Sequence, residues 1–130
     1  MLEQNNDSRP VIVVADDDED ILILVSFRLD RAGHEVLTAR NGEEALELIC
    51  ERHPDAAVLD VKMPKLTGID VVRQVRKDEA VRDTPVILLS AGVQEDTIAS
   101  GFEAGANDYI RKPFSPDDLV QRLSAVLAGR

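Results

Sequence analysis

Two patterns of apolar residues alternate along the chain. Runs of consecutive apolar residues are typical of strands covered on both faces, as in parallel sheets. Segments in which apolar residues recur every three or four positions are typical of amphipathic helices. The patterns predict five strands, each followed by a helix: Val11–Ala15, His34–Ala39, Ala56–Asp60, Val86–Leu89 and Asn107–Ile110.

The predicted helices are bounded by capping and turn residues. Asp18, Glu19 and Asp20 suit the cap and first turn of the first helix, because acids favour a helix N-terminus. Ser115 suits the N-cap of the last helix, with Pro116 in its first turn. The three helices between them are predicted at Glu43–Arg52, Ile69–Lys77 and Glu95–Ala104.

This alternation predicts a doubly wound α/β fold with a five-stranded parallel sheet. Strands joined through helices lie parallel, with right-handed crossovers and helices on both faces of the sheet. The predicted strand order is 2-1-3-4-5, which places the reversal of winding between the first and third strands. Such folds bind their ligands at the carboxyl ends of the strands beside that reversal.

The residues at these carboxyl ends are polar and differ in chemical type. Asp60, taken alone, could be a structural carboxylate that caps a loop. The other strands, however, bring further groups to the same edge of the sheet. Together they form an acidic cluster with a hydroxyl and an amine beside it: Asp16, Asp17, Asp60, Ser90 and Lys112.

Composition narrows the class of protein. A chain of 130 residues with 44% hydrophobic content is long enough for one domain with a core. The net charge of −10 argues against direct nucleic-acid binding by this domain. No apolar run approaches the roughly 20 residues that a membrane span needs. The single cysteine, Cys50, cannot form an internal disulfide, so we expect a cytoplasmic protein.

Four strings in this order and spacing strongly resemble the receiver domain of two-component response regulators. The strings are VVADDDEDI, VLDVKMP, LLSAG and YIRKPF. The resemblance covers about Val11 to Ala128 and implies a flavodoxin-like fold with five flanking helices. We therefore expect a flexible N-terminal lead-in over residues 1–9 and a receiver domain over residues 10–130.

The resemblance also implies a role for each polar position. Asp60 matches the phosphoacceptor, Ser90 the hydroxyl position, and Lys112 the lysine before a proline that is usually cis. Tyr109 matches the aromatic residue of the conformational switch. Converging carboxylates repel one another, and a hard divalent cation such as Mg²⁺ relieves this repulsion with oxygen ligands. The expected Mg²⁺ ligands are Asp17, Asp60 and the backbone carbonyl of Lys62, with Asp16 acting through water.

The function implied by the resemblance is signalling by phosphorylation. The domain would take a phosphoryl group from a sensor histidine kinase, a phosphotransfer protein or a small acyl-phosphate donor. It would then switch the face formed by helix 4, strand 5 and helix 5 toward a downstream output protein or domain. Such a regulator catalyses only its own phosphorylation and dephosphorylation, and it contacts neither nucleic acid nor membrane.

Two other classes of function remain open. A phosphatase of the aspartyl-phosphate type also uses Asp and Mg²⁺, but it usually needs a second carboxylate two residues after the nucleophile. Lys62 stands at that position here. A pseudo-receiver would be a binding module that never takes phosphate, but it would normally have lost Asp60, Lys112 or the acidic pair.

The stretch Lys112–Leu119 resembles receivers that dimerise through the face of helix 4, strand 5 and helix 5, by ion pairs between subunits. Asp108 and Arg122 match one such pair, and Asp118 matches the acid of another. Ile98, however, replaces the usual basic partner of Asp118, and Asn107 replaces a usual acid. Exposed ion pairs contribute only about 0–1 kcal/mol each, so the loss of one need not abolish association. We expect a monomer that forms at most a weak homodimer on phosphorylation, with a partner protein as the main user of this face.

Overall fold

The computed structural model describes residues 9–91 and 95–130, so the predicted lead-in lies outside the described residues except for Arg9. Five strands and five helices alternate along the chain. In chain order they are β1 (Val11–Ala15), α1 (Glu19–Arg31), β2 (Glu35–Ala39), α2 (Gly42–Arg52), β3 (Ala56–Asp60), α3 (Gly68–Lys77), β4 (Val86–Ser90), α4 (Glu95–Ala104), β5 (Asp108–Arg111) and α5 (Pro116–Ala128).

The five strands form one parallel sheet in the order β2-β1-β3-β4-β5. The predicted α/β fold and strand order are therefore confirmed. Every residue of β3 and β4 is buried, as expected for runs that are apolar at consecutive positions. The reversal of winding lies between β1 and β3, whose register pairs Ala15 with Leu59. This register places the residues that follow β1 beside the end of β3.

Two apolar layers cover the sheet, one on each face. One layer contains buried residues of α1 and α5: Leu22, Val25, Leu29, Leu119 and Leu123. The other contains buried residues of α2 and α3: Ala45, Ile49, Val71, Val72 and Val75. Among the described residues, no helix combines the length and apolar character that crossing a bilayer requires.

Helix caps fix several element boundaries. Asp18 caps α1 by accepting hydrogen bonds from the N–H groups of Asp20 and Ile21, and Ser115 caps α5, as predicted. The predicted start of the fifth strand was one residue early. Asn107 instead precedes β5, where its side-chain oxygen accepts a hydrogen bond from the backbone N–H of Val86.

Gly68, the first residue of α3, brings this helix close to the end of β3. A Cβ atom at residue 68 would lie 2.4 Å from the backbone oxygen of Asp60. Only a residue without a side chain fits there. The helix begins at Gly68, one residue earlier than predicted, because Thr67 caps it by accepting a hydrogen bond from the backbone N–H of Asp70. The close approach helps to hold the backbone of Asp60 in place.

Candidate functional site

A cavity of about 670 Å³ opens at the carboxyl edge of the sheet. It is lined by residues at or just after the ends of β1, β3, β4 and β5, by the N-cap of α3 and by one residue of α4: Asp17, Asp60, Val61, Lys62, Thr67, Ser90, Ala91, Thr97 and Lys112. The structure thus brings together the polar residues that the strand ends predicted. Sequence reasoning missed Thr67 and Thr97. The signal available for Thr97 was its place near the start of the helix predicted at Glu95–Ala104, because a helix that follows a strand begins near the carboxyl edge of the sheet.

Three carboxylates meet beside this cavity. One oxygen atom from each of Asp16, Asp17 and Asp60 lies within 4.8 Å of the other two. Asp16 is fully buried and Asp60 is 5% exposed, whereas Asp17 is open to solvent. Negative charge is therefore concentrated at one point of the sheet edge and is accessible from the side of Asp17.

Lys112 supplies the positive charge nearest to this cluster. Its Nζ atom lies 2.9 Å from Oδ2 of Asp16 and 3.2 Å from Oδ2 of Asp60. Burial lowers the pKa of the Lys112 ammonium group, but the hydrogen bond to Asp16 and the charge of Asp60 outweigh burial and raise it overall. The lysine is therefore a permanent cation that bridges two buried carboxylates.

The backbone around Lys112 fixes the position of this cation. The peptide bond between Lys112 and Pro113 is cis, as the resemblance implied. The backbone N–H of Lys112 donates a 2.7 Å hydrogen bond to the backbone oxygen of Ser90. Ser90 is itself 6% exposed and ends β4 at the cavity wall. The hydroxyl and the amine therefore reach the cavity from two hydrogen-bonded neighbouring strands.

Both oxygen atoms of Asp16 are engaged by groups of the chain. Oδ2 accepts from Lys112, and Oδ1 accepts a 2.9 Å hydrogen bond from the backbone N–H of Asp18. Asp17 has no such partner among the described residues and is exposed. The two neighbouring acids consequently differ in how freely they can accept a ligand.

Tyr109 lies away from the cavity, beneath α4. Its ring centre is 6.4 Å from that of Phe102, and it packs against the apolar layer that contains α2 and α3. The hydroxyl oxygen of Tyr109 is buried without a hydrogen-bond partner among the described residues. The structure thus separates the predicted switch residue from the acidic cluster.

Asp60 has the most strongly perturbed acidity in the cavity. Burial and the charge of Asp16 raise its pKa to about 6, although Lys112 opposes the shift. In the unfolded chain the ordinary value is 3.8, so the folded state holds this proton more tightly. The proton on Asp60 therefore adds to the free energy of unfolding of the metal-free protein. This contribution is fully present below the unfolded pKa of 3.8 and is lost as the pH rises through about 6.

The Asp60→Asn variant should therefore become more stable than the metal-free wild type as the pH rises. Its advantage should grow by about 2–3 kcal/mol between about pH 4 and pH 7, because asparagine carries no charge to bury. Urea unfolding in EDTA at both pH values measures the difference between the two proteins. A difference independent of pH would show that Asp60 does not titrate abnormally.

The fold and this site define a class of protein. The family described as the response regulator receiver domain matches residues 12–124. The chain therefore belongs to this family, which confirms the resemblance seen in the sequence and places the domain in two-component signalling. The family membership also argues against the phosphatase alternative.

Individual relatives support the assignment. The phosphate regulon transcriptional regulatory protein PhoB of Pseudomonas aeruginosa is 43% identical over 116 residues, which cover 89% of this chain and 51% of PhoB. The alkaline phosphatase synthesis transcriptional regulatory protein PhoP of Bacillus subtilis is also 43% identical over 116 residues, which cover 89% of this chain and 48% of PhoP. The chain thus spans about half the length of these curated relatives.

A solved structure agrees with the fold. The chemotaxis response regulator CheY4 of Vibrio cholerae superposes with a TM-score of 0.86 at 33% sequence identity. The superposition covers 92% of this chain and 99% of CheY4. The chain is thus similar in sequence to halves of longer regulators and similar in structure to a protein of its own size.

Proposed function

We propose that this domain accepts a phosphoryl group on Asp60 and uses it to switch its output face. The donor would be the phosphohistidine of a sensor histidine kinase or phosphotransfer protein, or a small acyl phosphate. The observation that carries the proposal is the convergence of Asp60 with a second buried carboxylate and the Lys112 ammonium group at one cavity. The domain would catalyse only its own phosphorylation and dephosphorylation.

The transfer needs a nucleophile and neutralisation of phosphoryl charge. Asp60 is ionised near neutral pH, and one carboxylate oxygen attacks phosphorus while the bond from phosphorus to the donor nitrogen breaks. The imidazole nitrogen leaves with the electron pair, and an acyl phosphate forms. Lys112 already lies 3.2 Å from Asp60 and would pair with a phosphoryl oxygen. The Ser90 hydroxyl would donate a hydrogen bond to the same group.

The acidic cluster fits a divalent cation. Three carboxylates lie within 4.8 Å of one another, and burial together with the charge of Asp16 raises the pKa of Asp60, which supports a divalent cation at this cluster. We assign Asp17, Asp60 and the backbone carbonyl of Lys62 as direct Mg²⁺ ligands, with Asp16 acting through water because Lys112 and Asp18 hold its oxygens. When bound, Mg²⁺ supplies charge neutralisation for the phosphoryl oxygens.

Magnesium should raise the free energy of unfolding, because it binds the native cluster and not the unfolded chain. At about 100 times its dissociation constant, the expected gain is about 2.7 kcal/mol. Asp17→Asn should weaken this gain and should slightly stabilise the metal-free protein by relieving repulsion. Thermal unfolding with EDTA and with Mg²⁺ measures both effects, and Asp20→Asn on the exposed first turn of α1 is the control. A metal-free Asp17→Asn protein that melts clearly lower than wild type would contradict the assignment.

The direct test of the proposed function is chemical labelling. With Mg²⁺ and acetyl phosphate, the domain should gain one phosphoryl group per chain, and hydroxylamine should remove it. Intact-mass spectrometry measures the added group before and after hydroxylamine. A domain that gains nothing from either acetyl phosphate or a phosphorylated histidine kinase would be a pseudo-receiver.

The partners belong to the same proposal. The two curated regulators are about twice as long as this chain, which supports an output domain or protein that receives the signal. The net charge of −10 supports a protein partner for this domain and no direct contact with nucleic acid or membrane. A lone cysteine supports a cytoplasmic location, where histidine kinases would deliver the phosphoryl group.

On the face formed by α4, β5 and α5, charged side chains form ion pairs with residues of the same chain. Arg122 contacts Asp108 at 3.0 Å through Nη1 and Asp118 at 3.0 Å through Nε. Pairs between subunits, as the resemblance implied, would have to replace these contacts. This favours a monomer and a weak dimer at most, with a partner protein as the main user of the face.

Sedimentation velocity with and without beryllofluoride, a mimic of the phosphoryl group, should reveal this behaviour. We expect a monomer without the mimic and at most a weak dimer with it, which Arg122→Glu or Ile98→Asp would abolish. Lys77→Glu, at an exposed position on α3, is the control for the change in charge. A tight dimer that neither substitution affects would show that another face is used.

A further inference from the structure

The guanidinium group of Arg76, near the end of α3, has all five N–H donors engaged. Two of its nitrogens reach the backbone oxygen of Gly105, Nε at 3.1 Å and Nη2 at 2.7 Å. Nη1 donates to the backbone oxygens of Arg82 and Thr84 at 2.7 Å each. Nη2 also donates to Oδ1 of Asn107 at 3.0 Å. One side chain therefore ties α3 to the loop before β4 and to the turn between α4 and β5.

The turn between α4 and β5 is shaped to receive this side chain. Gly105 has a φ of +115°, and a Cβ atom there would lie 2.9 Å from Nε of Arg76. Asn107 accepts from Arg76 and also from the backbone N–H of Val86, at 2.9 Å. Its own N–H donates to the backbone oxygen of Val86 at 2.8 Å. The C-terminal end of α4 is thereby fixed to two other elements.

The rest of α4 has no comparable anchor. In the part of α4 whose side chains are described, residues 97–104, no side chain forms a hydrogen bond or an ion pair with another described residue. Its apolar stripe is thin, and Phe102 remains 47% exposed. Thr97, near the other end of the helix, lines the cavity of Asp60. One end of α4 thus lines the cavity, and the other end leads into the turn that Arg76 contacts.

We propose that Arg76 acts as a clamp on the C-terminal end of α4, so that this helix pivots about residues 105–107 when the cavity changes state. The pivot moves the end that carries Thr97 and leaves the start of β5 in place. Arg76 is then a positioning residue for the output face, since Asp108 and Tyr109 follow the clamped turn directly. The pivot rests on the proposed phosphorylation of Asp60, whereas the clamp itself can be tested in the unmodified protein.

Amide hydrogen exchange of the unphosphorylated domain tests the clamp. The reporters are the backbone N–H groups of Ala106, bonded to Gly101, and Asn107, bonded to Val86. Arg76→Met should speed their exchange by about tenfold or more, because hydrogen bonds to a charged group are lost. Arg73→Met, at an exposed position on the same helix, should leave it unchanged. Equal exchange in the two variants would overturn the clamp.

A second variant covers the case in which Arg76→Met fails to fold. Asn107→Asp keeps the shape of the side chain and turns its hydrogen bond with the Arg76 guanidinium group into a pair of opposite charges, which strengthens the contact. Exchange at residues 106 and 107 should therefore slow in Asn107→Asp. The slowing should be smaller when Arg76→Lys is added, because an ammonium group with three N–H donors cannot replace the five donors of the guanidinium group. Unchanged or faster exchange in Asn107→Asp would count against the clamp.

Activation with beryllofluoride tests the pivot. In the wild type, amide shifts and exchange should change at residues 97–100 and stay nearly constant at residues 105–107. In Arg76→Met the changes should spread to residues 105–107. Uniform change along α4 in the wild type would overturn the pivot. Hydroxylamine-labile phosphate is measured separately. Its absence would mean that the proposed phosphorylation of Asp60 fails, and the exchange test of the clamp in the unmodified protein would still stand.

Discussion

Asp60→Asn is expected to abolish the hydroxylamine-labile phosphate that the wild type gains from acetyl phosphate and Mg²⁺. A neutral amide offers no carboxylate oxygen to attack phosphorus, so an acyl phosphate cannot form on this side chain. The substitution keeps the size of a residue that is 5% exposed. Loss of labelling should therefore occur without loss of the fold.

The control for this result is Asp30→Asn, at an exposed position on α1. It makes the same chemical change far from the cavity and should label at the rate of the wild type. Circular dichroism establishes that both variants are folded. Labelling of Asp60→Asn at the rate of the wild type would show that the acceptor is another residue.

Lys112→Met is expected to lower the free energy of unfolding of the metal-free domain by about 3 kcal/mol near pH 7. The change removes the only cation within 4.0 Å of Asp16 and Asp60 among the described residues. The pKa of Asp60, now without its opposing charge, should rise further, so the deficit should be smaller at about pH 5. Phosphoryl transfer should also slow, since no amine remains to neutralise phosphoryl oxygens.

Urea unfolding at two pH values measures the first effect, and the rate of labelling measures the second. Lys62→Met is the matched control for stability, because Lys62 lines the same cavity with an exposed side chain that forms no ion pair with the described residues. Its free energy of unfolding should change by less than about 0.5 kcal/mol. Equal destabilisation by the two substitutions would show that the contacts of Lys112 are not important for stability.

The strand and helix pattern could be predicted from the sequence because the sheet is covered on both faces. A strand such as Ala56–Asp60 must then be apolar at every position before its last residue, and that signal is strong. Where a predicted element boundary differs from the structure, it differs by one residue. Asn107, for example, precedes β5, where its side chain accepts a hydrogen bond from the backbone N–H of Val86, a residue distant in the chain.

The candidate-site residues at the strand ends could also be predicted, for a geometric reason, whereas Thr67 and Thr97 were missed. Parallel strands end at the same edge, so polar residues after several strands must converge. Which of these side chains contact one another could not be predicted from the positions of the strand ends. The contact of Lys112 with Asp16 joins residues 96 positions apart in the chain. It depends on the register of four strands and on burial, since a buried charge is stable only when it is paired.

The amino-acid sequence by itself determined the fold class and the polar groups at the strand ends, because hydrophobic periodicity and strand ends are local properties. The strand order followed from the winding expected of such folds together with the resemblance to receiver domains. Only the tertiary structure decided that the pKa of Asp60 is raised and that Arg122 forms ion pairs with Asp108 and Asp118 of its own chain. The five hydrogen bonds of Arg76 were likewise decided by the tertiary structure alone. These properties depend on distances and burial between segments far apart in the chain, which no local pattern records.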